Sequence, residues 1–304
     1  MGNGGSILLS QGTFSRNSVR LTLPCWSRLL FFFSLAIFAW SSDSQGQGQS
    51  TPQKLLTVWA GTLPIILSAP HGGRQPIAGV PARRGVGVSQ FATGRDNNTD
   101  ELAQRIAVKL ETRFSAKPFL IVAHFERKYL DANRPTQGAY ESAEAKSYYD
   151  AYHGALREAR EGISRGWGRG LLLDIHGQSE DETIYRGTNN GKTVVSLTRR
   201  FGMEAVSGPK SIFGQLERMG YEILPPTQES HKEDRYTGGY TVQTYGSHRQ
   251  TGIDAIQLEF GSKLRARANL ERTAGDLAEA IAVFAQEYLP LGKISPPLEA
   301  VSQP

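Results

Sequence analysis

Three short stretches carry residues that can do chemistry together: "SAPHGG" with His71, "LLLDIHG" with His176 and "AIQLEFG" with Glu259. In each, an apolar run delivers the chain to an imidazole or a carboxylate, and glycine follows closely. One histidine at a strand end is usually a hydrogen-bonded structural residue. Three such ends in one chain point to a shared site, because polar groups beyond strand ends collect where α/β proteins bind their ligands. A catalytic zinc takes three protein ligands and leaves one position open. His71 and His176 supply two, and the third falls to Asp96 or Asp100 in "GRDNNTDEL". Asp100 suits the first turn of a helix, where a negative charge complements the dipole, whereas Asp96 precedes that turn. Gly72 and Gly73 are expected to keep the backbone thin where metal and substrate must fit.

A second dense cluster is "ERKYLDANRP", residues 126–135. Asp131 can accept a hydrogen bond from a ligating imidazole and fix its tautomer. Asn133 and Arg134 can bind a carboxylate, Arg134 through its planar fork. Arg127 is a second cation, suited to an oxyanion. Tyr240, after two glycines, can donate a hydrogen bond to a substrate or simply pack. With a metal to polarise a carbonyl and lower the pKa of water, Glu259 is the candidate carboxylate to take that water's proton and pass it to a leaving nitrogen.

The elements that must hold these residues alternate. Apolar runs predict strands over 63–70, 118–125, 170–177 and 253–261. Amphipathic patterns predict helices over 98–114 (Leu102, Ile106 and Leu110 on one face), 144–166 with Gly166 as the stop, 211–220 and 270–289. "KTVVSLTRRFG" is ambiguous, and "GQSEDETIYRGTNNGKTV" is polar and acidic. The alternation predicts an α/β protein, with helices layered on a central mixed, largely parallel sheet.

Residues 1–41 read as an export signal: Arg16, Arg20 and Arg28 precede the apolar run 29–40, which is shorter than the about 20 residues of a membrane span. A Gly/Ser/Gln-rich linker follows over 42–53, then one catalytic domain over 54–292 and a tail over 293–304. The expected location is the periplasm or outside the cell, with no membrane contact once the signal is cleaved. The single cysteine, Cys25, lies within that signal, so the mature chain has no thiol chemistry and no cysteine metal site. The net charge is +5, without lysine or arginine blocks or interleaved aromatics, which argues against nucleic-acid binding. No protein partner is evident; the expected partner is a small anionic molecule.

The ordered motifs resemble the N-formylglutamate amidohydrolase family, which is similar in fold and metal site to zinc carboxypeptidases and aspartoacylases. They are Pro70-His71-Gly72-Gly73, Asp96 before a helix, Arg127, Asp131-Ala132-Asn133-Arg134, Asp174-Ile175-His176-Gly177, Gly238-Gly239-Tyr240 and Gln257-Leu258-Glu259. The resemblance runs from about residue 63 to 289, and it implies a three-layer α/β/α fold of the phosphorylase/hydrolase-like, zinc exopeptidase-like kind. It implies zinc held by His71, Asp96 and His176, with Asp131 and Asp174 behind the ligands. It also implies Glu259 as general base and acid on activated water, and Arg134 with Asn133 binding the free carboxylate of an acyl amino acid or peptide. An exported amidase acting on acyl amino acids, short peptides or cell-wall fragments fits, as does a zinc carboxypeptidase. A non-catalytic protein that captures anionic amino-acid derivatives is the alternative of another class.

Overall fold

The computed structural model describes Met1 and residues 51–227 and 232–292. The proposed signal, most of the linker and the C-terminal tail lie outside the described residues. From residue 51 onward these belong to one compact unit, Gln47–Pro304. No helix among them is long and apolar enough to cross a membrane.

The strands are β1 (Leu56–Trp59), β2 (Ile65–Ala69), β3 (Phe119–Ala123), β4 (Leu171–Gly177), β5 (Ile184–Gly187), β6 (Ile223–Leu224) and β7 (Asp254–Phe260). The α-helices are α1 (Thr99–Phe114), α2 (Thr136–Ala139), α3 (Lys146–Trp167), α4 (Val195–Phe201), α5 (Glu204–Ser207), α6 (Ile212–Arg218), α7 (Tyr240–Tyr245) and α8 (Arg267–Tyr288). The strands form one sheet in the order β1-β3-β2-β4-β7-β5-β6. The central strands β3, β2, β4 and β7 are parallel, while β1 on β3 and β5 on β7 run antiparallel. The expected mixed, largely parallel sheet is therefore the observed one.

Why the central strands read as unbroken apolar runs is clear from their burial: β2 and β7 are buried at every residue because helices cover both faces. The period of two divides each strand between two cores. Ile65, Leu67, Leu171, Leu173, Ile256 and Leu258 face α1 and α8, joined there by Leu102, Ile106 and Leu110 of α1. Ile66, Leu172 and Ala255 face α3 and α7, against Tyr152, Leu156 and Ile163. The same alternation puts Ser68, Asp174, His176, Gln257 and Glu259 on the α3 side. The polar residues are thus stacked on one face of the sheet's carboxyl edge.

Helix α1 begins with Asp100 and Glu101 in its first turn and has Arg113 in its last, matching the dipole. Helix α3 starts after a short 3-10 turn and runs one residue past the expected stop. Gly168, with φ 72°, ends it rather than Gly166, because only the later glycine takes the left-handed conformation that releases the chain. The ambiguous 192–202 stretch is a 3-10 turn followed by α4. Strand β5 emerges inside the polar stretch 177–194.

Topology then fixes the site. From β2 the chain passes through α1 to β3 on one side, and from β3 through α3 to β4 on the other. The strand order reverses between β2 and β4, and such a reversal opens a crevice at the carboxyl ends of the two strands. His71 follows β2 and His176 lies near the end of β4.

Candidate active site

Three side chains meet in that crevice. His71, Asp96 and His176 are all buried, and their candidate ligand atoms lie within 4.8 Å of one another. The Nδ1 atoms of His71 and His176 sit 3.3 and 3.1 Å from the same oxygen, Asp96 Oδ2. Each imidazole turns its other nitrogen to a second carboxylate: His71 Nε2 to Asp131 Oδ1 at 2.7 Å, and His176 Nε2 to Asp174 Oδ2 at 2.9 Å. A carboxylate that accepts from Nε2–H orients each ring so that Nδ1 faces Asp96. Two ring nitrogens and a carboxylate oxygen thus converge on one spot, where either protons on Nδ1 or a bound cation satisfies them. The donor set, two imidazoles and one carboxylate in a buried crevice that opens on a cavity, fits a catalytic zinc. Asp96 belongs to this centre. Asp100 does not: it lies in the first turn of α1, packed against Gly72.

The backing carboxylates are themselves fastened. Ser68 donates to Asp174 Oδ1 at 2.5 Å across the β2–β4 register that pairs the two residues. Arg127 donates through Nε to Asp131 Oδ2 at 2.8 Å and brings Nη1 to 3.8 Å from Asp96 Oδ1. Burial alone would raise the Asp131 pKa, but His71, Arg127 and Arg134 overcome it and hold the carboxyl far below the ordinary range. The same balance acts at Asp96, where burial opposes and the two imidazoles prevail. Burial would lower the His176 pKa, yet Asp174 and Asp96 push it well above the usual value.

Glu259 stands opposite His176 in the β4–β7 register. It is 6% exposed. Burial pushes its carboxyl up to about 7, with His176 pulling it down and Asp96 pushing it further up. Gln257 donates to Glu259 Oε1 at 2.8 Å, which fixes the carboxylate's orientation. A carboxylate poised near neutrality beside a metal-ligand cluster can take and return a proton.

These groups line a cavity of about 420 Å3 together with Arg95, Arg127, Arg134, Arg235 and Arg265. Arg134 donates to the carbonyls of Asn133 (2.9 Å) and Gln90 (3.2 Å). Nη1 of Arg95 is buried and has no hydrogen-bond partner among the described residues. The lining therefore has guanidinium groups to offer an anion.

Other expected site residues sit differently. Asn133 reaches the cavity but is committed: its Oδ1 accepts from Thr241 N at 2.7 Å and its amide nitrogen lies 3.2 Å from His176 Nε2. It pins the start of α7 to the metal-ligand cluster. Tyr240 is not among the cavity-lining residues; as the first residue of α7 it stacks edge-on against His153 with ring centroids 5.6 Å apart. Tyr236 lines the cavity instead. Gly72 and Gly73 serve packing rather than ligand access, since a Cβ would collide with Asp100 at the former and with the His124–Phe125 backbone at the latter.

Two supports were not foreseen. Arg83, buried, donates to the carbonyls of Gly138 (3.1 Å), Ala92 (2.8 Å) and Arg127 (2.8 Å), tying the 84–95 segment to the Arg127 loop. His153, whose pKa burial lowers to about 4, engages the Ala132 carbonyl at 2.9 Å and the Tyr245 hydroxyl at 3.0 Å. It thereby fixes the loop between Asp131 and Asn133. No local sequence pattern marks either residue, since the partners of both lie far away in the chain.

No protein-family model and no curated protein matches the chain. Solved structures do match in fold. The N-formylglutamate amidohydrolase from Ralstonia eutropha JMP134 aligns over 77% of this chain and 98% of its own, with TM-score 0.54 and 19% identity. A gene product of Agrobacterium tumefaciens aligns over 78% of this chain and 95% of its own, with TM-score 0.52 and 15% identity. The chain thus has the fold of an N-formylglutamate amidohydrolase.

Proposed function

We propose that this protein is a zinc-dependent amidohydrolase that cleaves the amide bond of an N-acyl amino acid or short peptide bearing a free carboxylate. One observation carries the reading: two imidazole nitrogens and one carboxylate oxygen converge within 4.8 Å, with a buried carboxyl poised near neutrality across the next strand. His71, Asp96 and His176 would hold the zinc. When bound it supplies Lewis acidity, polarising the scissile carbonyl and making water acidic near neutral pH.

The remaining chemistry belongs to the chain. Glu259 takes the proton of the attacking water and returns it to the leaving nitrogen, a role that its pKa of about 7 suits. Arg127, fixed by Asp131, faces the cavity with a charge that favours the developing oxyanion. Arg134 anchors the substrate carboxylate, exchanging a carbonyl partner for a charged one. Asp131 and Asp174 keep both imidazoles in the ligating tautomer. Asn133 holds the loop that carries Arg134. The N-terminal pattern of residues 1–41 supports a site of action outside the cytoplasm.

The test is a screen of N-acyl amino acids and dipeptides with zinc present. Release of free amine is expected, together with a loss of about 10²-fold or more in kcat for Glu259→Gln. An unchanged rate in that variant contradicts the role of Glu259, and no hydrolysis of any member contradicts the function.

A further inference from the structure

A second cavity, of about 570 Å3, adjoins the candidate site and shares Arg235 and Tyr236 with it as a common wall. Its character is different. Leu224, Pro225 and Pro226 contribute apolar surface, and the rings of Tyr185 and Tyr236 meet edge-on at 4.8 Å. One of its cations is already engaged: Arg186 Nε pairs with Glu233 Oε1 at 3.1 Å. The Glu233 carboxylate is filled in turn by the Thr188 hydroxyl and the backbone N–H groups of Thr188 and Asn190. Lys232 and Asp234 add one charge of each sign. The first cavity thus presents guanidinium groups, and the second adds an aliphatic and aromatic face beside its charged residues.

The sheet order sets which end of a substrate meets which cavity. Arg134 comes from the segment after β3. The metal ligands come from β2, β4 and the entry to α1, and Glu259 comes from β7. The second cavity is built on β5, the end of β6 with Pro225 and Pro226, and residues 232–236. Across the order β3-β2-β4-β7-β5-β6, a carboxylate on Arg134 and a scissile amide between the metal ligands and Glu259 direct the acyl group toward β5 and β6. Arg235 on the common wall pairs with Glu180 in a solvent-exposed ion pair, which contributes little stability.

We infer that the second cavity is the acyl subsite, and that the enzyme prefers acyl groups with an extended apolar or aromatic body over formyl or acetyl. The inference rests on the amidohydrolase reading above. In the reaction, the oxygen of water bonds to the acyl carbon and the C–N bond breaks. The nitrogen takes a proton, leaving a medium-chain or aromatic carboxylic acid and a free amino acid. A methylene seated in an apolar pocket changes kcat/KM by about tenfold or more, so the preference is measurable.

The experiment compares N-formyl, N-acetyl, N-hexanoyl and N-benzoyl derivatives of L-alanine and L-glutamate. Two readouts are taken: kcat/KM on zinc-loaded protein, and dissociation constants by calorimetry on metal-free protein. Hexanoyl and benzoyl derivatives are expected to exceed formyl at least tenfold in kcat/KM and to bind more tightly without metal. Pro226→Glu, which puts a charge in the second cavity, should abolish that advantage and leave the formyl derivative unchanged. Equal or better handling of formyl and acetyl overturns the acyl subsite while leaving the amidohydrolase reading intact. Absence of turnover on all eight compounds overturns the amidohydrolase reading, and the ranking of dissociation constants then decides the subsite by itself.

Discussion

Replacing Glu259 with glutamine should stabilise the metal-free protein at alkaline pH while removing its activity. The carboxyl moves from an ordinary 4.5 to about 7 in the folded protein, first because it is buried and further because Asp96 lies near. Each pKa unit corresponds to about 1.4 kcal/mol, so ionising Glu259 in the fold costs about 3 kcal/mol relative to the unfolded chain. Between pH 4.5 and 7 the folded state holds a proton that the unfolded state has lost, and stability therefore falls as pH rises through that window. Glutamine has no proton to lose, and its side-chain oxygen can still accept from Gln257. Urea denaturation of metal-free wild type and Glu259→Gln across pH 4 to 9 should give equal midpoints near pH 4. By pH 8.5 the variant should be ahead by up to about 3 kcal/mol. A variant that is no more stable than wild type at pH 8.5, or a difference independent of pH, would refute the reasoning.

Three further outcomes follow from the geometry. Asp131→Asn should weaken zinc affinity about 10- to 100-fold, read by competition with a chelating dye, because His71 loses the carboxylate that fixes its tautomer. Tyr240→Phe should leave kcat and KM close to wild type, since Tyr240 is not among the cavity-lining residues, whereas Arg134→Lys should raise KM several-fold with less effect on kcat. Gly73→Ala should lower stability by about 1–3 kcal/mol in denaturant titration, because its Cβ would press on the His124–Phe125 backbone, which cannot yield as a side chain can.

How far the fold was legible follows from element length and burial. The strands β2, β3, β4 and β7 and the helices α1, α3 and α8 are long or buried on both faces, so their period and apolar content show in the sequence. Strands β1, β5 and β6 have four, four and two residues and draw their order from pairing rather than composition. Ile184–Gly187 is a strand because β7 offers it an antiparallel edge, and nothing in "ETIYRGT" alone requires it. The site was legible where a residue type had no structural excuse. His71, His176 and Glu259 end or adjoin apolar strands, and Asp96 lies outside the helix that explains Asp100. It was not legible where a three-dimensional partner decides the role. Asn133 reads as a ligand group until Thr241 and His176 are seen beside it. Tyr236 and Tyr240 differ in which way the chain turns at residues 237–239, and no local pattern encodes that. Gly72 and Gly73 suggested room for a ligand, whereas the space is taken by Asp100 and the β3 exit.

The most direct measurement is zinc binding to purified protein, wild type against His176→Ala, by calorimetry with amide hydrolysis followed on the same samples. One zinc per chain in wild type is expected, with turnover that disappears on chelation and returns with zinc. In His176→Ala both the tight binding and the turnover should be lost. Tight stoichiometric binding that survives in His176→Ala, or turnover that persists in fully chelated wild type, would contradict the assignment of His71, Asp96 and His176 as the catalytic metal centre.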